Sequence, residues 1–202
     1  YFYDNSAQYI VEDLHQITKL IKEQYPNKPL MLFGHSMGSM VVRKYIKKYD
    51  DDIDKLIVCG SPSRNKYAKV GLNVAKIVEK LKGEKYRSKF IQKLAFGNYS
   101  SKKEKSENSW ICDNEDTVNK YDKDELCGFI FTANGFQNLF GLMVDIYDKN
   151  GWKLNNTNLP ILFIAGSNDP VIINKEKWLE SQDFLKTLGY NNVQNKLYGG
   201  MR

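Results

Sequence analysis

Three residue types together could perform acyl transfer: a serine, a carboxylate and a histidine. Gly34-His35-Ser36-Met37-Gly38 fits G-x-S-x-G, a pattern that presents a serine hydroxyl at a sharp strand-to-helix turn. Such a hydroxyl is a weak nucleophile and needs a general base, usually histidine, oriented by a carboxylate. Asp169, in "AGSNDPV", follows an apolar run and supplies a candidate carboxylate, although Asn-Asp-Pro is also good turn chemistry. The chain has two histidines, His15 and His35. His35 directly precedes Ser36, so its side chain is expected to point away from the serine's. His15 falls on the helix before the serine's strand. Both read as structural histidines. The Met37 N–H, at the start of a helix, is placed to donate to a developing oxyanion. Gly34 and Gly38 read as positions where side chains would collide with neighbouring backbone.

Hydrophobic periodicity places these residues. Ile10, Leu14, Ile17 and Ile21 form one helical face over residues 5–25, stopped by Pro26 and Pro29. Residues 30–33 make a short buried strand, residues 38–48 a helix, and "KLIVCGS", residues 55–61, a second strand. Alternating helix and strand predicts a parallel sheet with crossover helices. The alternation then stops. Residues 64–150 show no clear strand. A helix carries Val70, Val74, Ile77, Val78 and Leu81, a second spans Phe90 to Phe96, and residues 98–109 form a polar exposed loop. Residues 122–147 read as helical with kinks at glycine. Strand, turn, helix and strand resume over residues 159–165, 166–170, 175–188 and "VQNKLYGG". The expected class is α/β. Residues 1–63 and 151–202 form the core, and residues 64–150 a helical insertion of domain size.

The chain has 202 residues, 42% hydrophobic and 27% charged, as in an ordinary soluble globular protein. Its net charge is +6. Arg43, Arg64, Arg87 and Arg202 are the only arginines, so lysine carries nearly all the basic charge. Specific nucleic-acid readers depend on arginine, which argues against a nucleic-acid partner. Cys59, Cys112 and Cys127 form no C-x-x-C pair and suggest neither a disulfide framework nor a zinc site. A reducing, cytoplasmic setting fits, and no metal or cofactor is implied. Residues 126–144 carry no charge, but Asn134, Gln137, Asn138 and three glycines make them buried or pocket-lining rather than membrane-spanning.

The stretches "VEDLHQITKLIKEQYPNKPLMLFGHSMGSMVVRKYI", "LPILFIAGSNDPV" and "GYNNVQNKLYGGMR" resemble the α/β-hydrolase superfamily. Within it they resemble the bacterial monoacylglycerol lipase and lysophospholipase-like group. The resemblance implies a serine hydrolase with Ser36 as nucleophile, Asp169 as triad acid and the Met37 N–H as one oxyanion donor. The insertion would be a cap. It implies a catalytic histidine just after Arg202, and earlier strands with a second oxyanion donor before Tyr1. On this expectation the chain is clipped at both ends and inactive as it stands. Phe129, Phe136 and Phe140, with Phe131 and Leu139, are the expected acyl-chain contacts, and Lys66 to Lys93 a possible membrane-facing surface. A lipid-like carboxylic ester is the expected substrate. A peptidase or thioesterase on the same triad, or a non-catalytic binding module, are the alternatives.

Overall fold

A computed structural model describes residues 6–97, 99–100 and 104–202. Asn5 and part of the 98–109 loop expectation lie outside these. The elements run α1 (Ser6–Gln24), β1 (Met31–His35), α2 (Met37–Tyr49), β2 (Lys55–Cys59), α3 (Ala68–Lys82), α4 (Lys89–Phe96), α5 (Glu115–Lys123), α6 (Ala133–Asp145), β3 (Ile161–Gly166), α7 (Lys175–Leu188) and β4 (Val193–Tyr198). The strands form one parallel sheet in the order β1-β2-β3-β4. The α/β class and crossover topology follow the hydrophobic pattern.

Register sorts the side chains onto two faces. Leu56 pairs with Ile161, and Val58 with Phe163. All four are buried, and α2 covers β1 and β2 with Met40, Val41, Tyr45 and Ile46. Removing such side chains from water supplies the main drive for this packing, about 25 cal/mol per Å². The neighbouring register row, Phe33, Ile57 and Leu162, points to the opposite face, where Phe33 is 55% exposed.

Helices α3 to α6 occupy the connection between β2 and β3. Polar contacts tie them to the core. Lys44 and Lys47 of α2 both bind Asp145 at the end of α6, at 2.8 and 3.1 Å. Burial pushes the Asp145 carboxyl up, but the two ammonium groups outweigh it and hold it below the usual carboxylate range. Arg43 is fully buried. Its Nη1 donates to Ser61 Oγ and Tyr147 Oη at 3.3 and 3.2 Å. Its guanidinium carbon lies 4.6 Å from the Tyr147 ring centroid and 5.8 Å from that of Phe163. Tyr147 Oη also donates to the Pro62 carbonyl at 3.0 Å.

Two expectations are corrected. Residues 122–147 are not one kinked helix. Here α5 ends at Lys123, Gly128 takes φ +65°, and α6 starts only after Thr132, whose hydroxyl caps it by accepting from the Gly135 N–H. Nor are both motif glycines crowded. A Cβ on Gly34 would strike the Gly38 carbonyl and lie 2.7 Å from Val42 Cγ2, whereas a Cβ on Gly38 meets nothing within 4 Å. Only the strand-side glycine faces the helix that folds back over it.

This contrast predicts different outcomes for two similar changes. Gly34→Ala is expected to lower stability by about 1–3 kcal/mol through overpacking. Gly38→Ala, at a helical position with free space, should be neutral or stabilising by up to about 1 kcal/mol. Urea unfolding of both variants checks this, and equal losses would contradict the assigned crowding.

Candidate functional site

Ser36 sits between the last residue of β1 and the first of α2, with φ +51° and ψ −117°. A non-glycine residue held there costs about 1–3 kcal/mol and persists only when its surroundings impose it. Here they do. Ser36 N–H donates to the Cys59 carbonyl at 3.0 Å, and the Ser36 carbonyl accepts from both the N–H and the hydroxyl of Ser39. Met37 opens α2, so its N–H belongs to the first turn, whose amides lack an intrahelical acceptor. The helix N-terminus also favours negative charge beside the serine.

Asp169 lies beyond the carboxyl end of β3, with β2 between it and Ser36. In a parallel sheet all strand ends of one sense meet at one edge, where such sites form. The Asp169 carboxylate caps a 3-10 turn, Pro170–Ile172, by accepting from the Val171 N–H at 2.9 Å through Oδ1. Ser63 supports that turn: its hydroxyl donates to the Ile172 carbonyl at 2.7 Å. Burial pushes the Asp169 carboxyl up, opposed by the Val171 N–H and then by His35. The same carboxylate, after burial, helps to push the Cys59 thiol and the Tyr99 hydroxyl up.

Ser36 and Asp169 line one pocket of about 200 Å³, together with His35, Gly60, Trp110, Ile111, Tyr121, Val171 and Arg202. His35 thus also lines the pocket. A Cβ on Gly60 would meet Asp169 Oδ2 at 3.2 Å and His35 Nε2 at 3.3 Å, tight contacts from which both groups would have to shift. Gly60 directly follows β2 with φ +52°, a conformation that glycine adopts freely. His15 is remote from the pocket. It stacks on Tyr49 at 3.7 Å and meets Asp52 at 3.1 Å, where α1 packs on α2.

The wall of the pocket comes from the insertion, through residues the sequence reading did not single out. Trp110 is braced by Tyr99 at 5.0 Å and Phe96 at 5.9 Å between ring centroids. Tyr121 lies on α5, whose start carried a legible signal: Asn114 caps the Thr117 N–H, with Glu115 and Asp116 in the first turn. The expected acyl contacts lie elsewhere. Phe136 and Phe140 are buried against each other and α3, and Phe129 is 52% exposed beside Phe131. None of the three lines the Ser36 pocket. An apolar, charge-free run marks burial, but not which buried surface faces a cavity.

The chain after β4 folds back over the Asp169 loop. Ser167 N–H donates to Tyr198 O at 2.8 Å, Asn168 N–H to Met201 O at 2.9 Å, and Gly200 N–H to Ser167 Oγ at 2.8 Å. Met201 backbone presses on Gly166 so closely that a Cβ there could not fit. Arg202 then reaches the insertion, pairing with Glu104 and with Asp113 at 3.0 Å and donating to the Ser109 carbonyl.

The raised Asp169 carboxyl makes a prediction about stability. A carboxyl whose folded pKa exceeds its unfolded one loses stability as pH rises through the unfolded value, and the loss is complete above the folded value. Asp169→Asn keeps the acceptor for Val171 and removes the charge. It should therefore unfold at higher urea than the parent at pH 7, with the difference vanishing at pH 3. A parent more stable than the variant at pH 7 would contradict the burial assignment.

Among solved structures, the chain is similar to a thermostable carboxyl esterase from Bacillus coagulans, in complex with glycerol. Identity is 27% over 95% of this chain and 63% of that one, with a TM-score of 0.82. It is similar in fold to a monoacylglycerol lipase from Paleococcus ferrophilus (19% identity, 95% and 66% covered, TM-score 0.62). It is also similar in fold to a soluble variant of monoglyceride lipase from Saccharomyces cerevisiae, in complex with a substrate analog (16%, 100% and 62%, 0.63). The chain thus spans less than two thirds of each of these structures. A search of curated proteins finds no match. Residues 2–202 match the Hydrolase_4 family, described as serine aminopeptidase, S33. With the parallel sheet, the strained serine turn and this match over nearly its whole length, the chain belongs to that family and has the α/β-hydrolase fold.

Proposed function

We propose that this chain carries the nucleophile and acid of a serine hydrolase that cleaves carboxylic esters, with monoacylglycerols or lysophospholipids as substrates. The observation that carries the reading is Ser36 itself: a serine in a strained turn, at a helix N-terminus, sharing a pocket with a half-buried carboxylate. Ser36 Oγ attacks the ester carbonyl. The Met37 N–H receives the oxyanion. A histidine takes the serine proton and returns it to the leaving alcohol, and Asp169 orients its ring. Water then releases the acyl group by the same route.

Residues 64–150 act as the cap between core segments 1–63 and 151–202. Trp110, Ile111 and Tyr121 take over the acyl-contact role first given to Phe129, Phe136 and Phe140. Their apolar rings suit an acyl chain, and their position in the Ser36 pocket supports it. The substrate is a lipid-like small molecule met at, or near, a membrane surface. No helix among the described residues is long and apolar enough to cross a membrane. The three free cysteines support a cytoplasmic setting. A peptide substrate is the second reading, favoured by the family's description as serine aminopeptidase.

In the full-length protein, Ser36→Ala is expected to reduce hydrolysis of p-nitrophenyl esters by at least about 10³-fold, with unfolding unchanged. A fluorophosphonate probe should label the parent and not the variant. Retained esterase activity would refute the nucleophile. A panel of monoacylglycerol, thioester and aminoacyl substrates separates the two readings, and preferential aminoacyl cleavage would replace the first by the second.

A further inference from the structure

Helix α3 has apolar residues on two sides. Towards the core it buries Ala68, Gly71 and Ala75, with Gly71 against Phe140, and packs Leu72, Val74 and Val78 half-buried beside them. A second set of large apolar residues faces outward: Val70 is 56% exposed, Ile77 58% and Leu81 72%. Helix α4 continues the pattern. Ile91 is buried, while Phe90 and Leu94, one helical turn apart, are 67% and 54% exposed. Helices that carry this many large apolar residues outside their packed side have a second apolar environment to meet.

Charge identifies that environment. Each outward apolar residue follows a lysine in the sequence: Lys66-Tyr67, Lys69-Val70, Lys76-Ile77, Lys80-Leu81, Lys85-Tyr86, Lys89-Phe90 and Lys93-Leu94. All fourteen residues are exposed. Residues 64–94 hold ten basic residues against two acidic ones, more net charge than the +6 of the whole chain. Among the described residues, none of these seven lysines forms an ion pair. Alternating lysine and large apolar residues on one surface is the pattern of an interfacial membrane segment. The apolar side chains enter the acyl boundary while the lysine stems snorkel to headgroup phosphates. Arginine, which nucleic-acid readers favour, occurs here only as Arg64 and Arg87.

We propose that the outer surface of α3 and α4 docks onto an anionic lipid bilayer, with Val70, Ile77, Leu81, Phe90 and Leu94 inserting and the lysines holding acidic headgroups. The choice of a bilayer over other anionic partners rests on the lipid-ester reading. Docking would put the insertion that walls the Ser36 pocket at the source of its substrate.

The test is co-sedimentation of the full-length Ser36→Ala protein with vesicles of phosphatidylcholine alone or with 30% phosphatidylserine, at about 50 and 500 mM salt. The inactive serine keeps the lipid intact and separates binding from hydrolysis. Binding is expected to the serine-lipid vesicles at low salt and to fall at high salt. Lys80→Glu with Lys89→Glu should weaken it at least about tenfold, since each surface lysine lost is worth about fivefold. Leu81→Ser with Phe90→Ser should abolish it while leaving short-chain esterase activity in the Ser36 form unchanged. Protein left in the supernatant, equal binding to neutral vesicles, or variants that bind as well as the parent would overturn the proposal. Retention on duplex DNA with no vesicle binding would do the same. Vesicle binding without any esterase activity in the Ser36 protein would instead overturn the hydrolase reading alone.

Discussion

The chain reverses direction between β1 and α2 at one residue, Ser36, in a backbone conformation that serine adopts only under compulsion. The compulsion comes from both sides. Gly34 lets α2 fold back against the strand it has just left, with Val42 packed where a side chain would be. The neighbouring strand holds the serine's own amide through the Cys59 carbonyl. Parallel register then does the rest. With β1, β2 and β3 side by side and running the same way, the residues after each strand converge, which brings Ser36, Gly60 and Asp169 to one edge. The turn thus sets not only where the hydroxyl stands but what can stand near it.

The insertion is held to that edge by polar joints rather than by a shared apolar seam alone. Asp145 takes two lysines of α2, and Tyr147 binds Arg43, Pro62 and Ser181. Asp50, fully buried, accepts from the Asn155 and Asn156 amides and the Tyr190 hydroxyl, so it anchors the segment that returns to β3. Hydrogen bonds to buried charges are directional and costly to break, so these joints fix orientation as well as affinity. At the far side Arg202 clasps Glu104 and Asp113 across the pocket.

Most of the fold could be read from periodicity. The turns of α1, the apolar runs of β1, β2 and β3, and Gly189 closing α7 are local signals, and the structure places them within a residue or two. The site was partly legible for the same reason: Ser36 and Asp169 sit in short motifs whose turn chemistry is local. What could not be read was spatial. Trp110 and Tyr121 reach the pocket because the insertion folds over it, and no spacing in sequence encodes that. His35 lines the same pocket beside Gly60, which follows another strand and lies close to its ring. The phenylalanines of α6 are apolar and buried, as their composition implies, but do not line the Ser36 pocket. The 126–131 stretch resisted reading because Gly128 and the Thr132 cap interrupt what composition alone makes look continuous.

Arg43 has a consequence for how the protein responds to its medium. A buried cation normally carries a carboxylate partner, and such a pair titrates. This one is balanced by two aromatic faces and two hydroxyls, and no described carboxylate pairs with it. The joint between the serine's helix and the insertion therefore has two unlike parts: Asp145 with Lys44 and Lys47, partly exposed and open to screening by salt and to protonation of the carboxylate, and the buried Arg43 contacts, which salt reaches little.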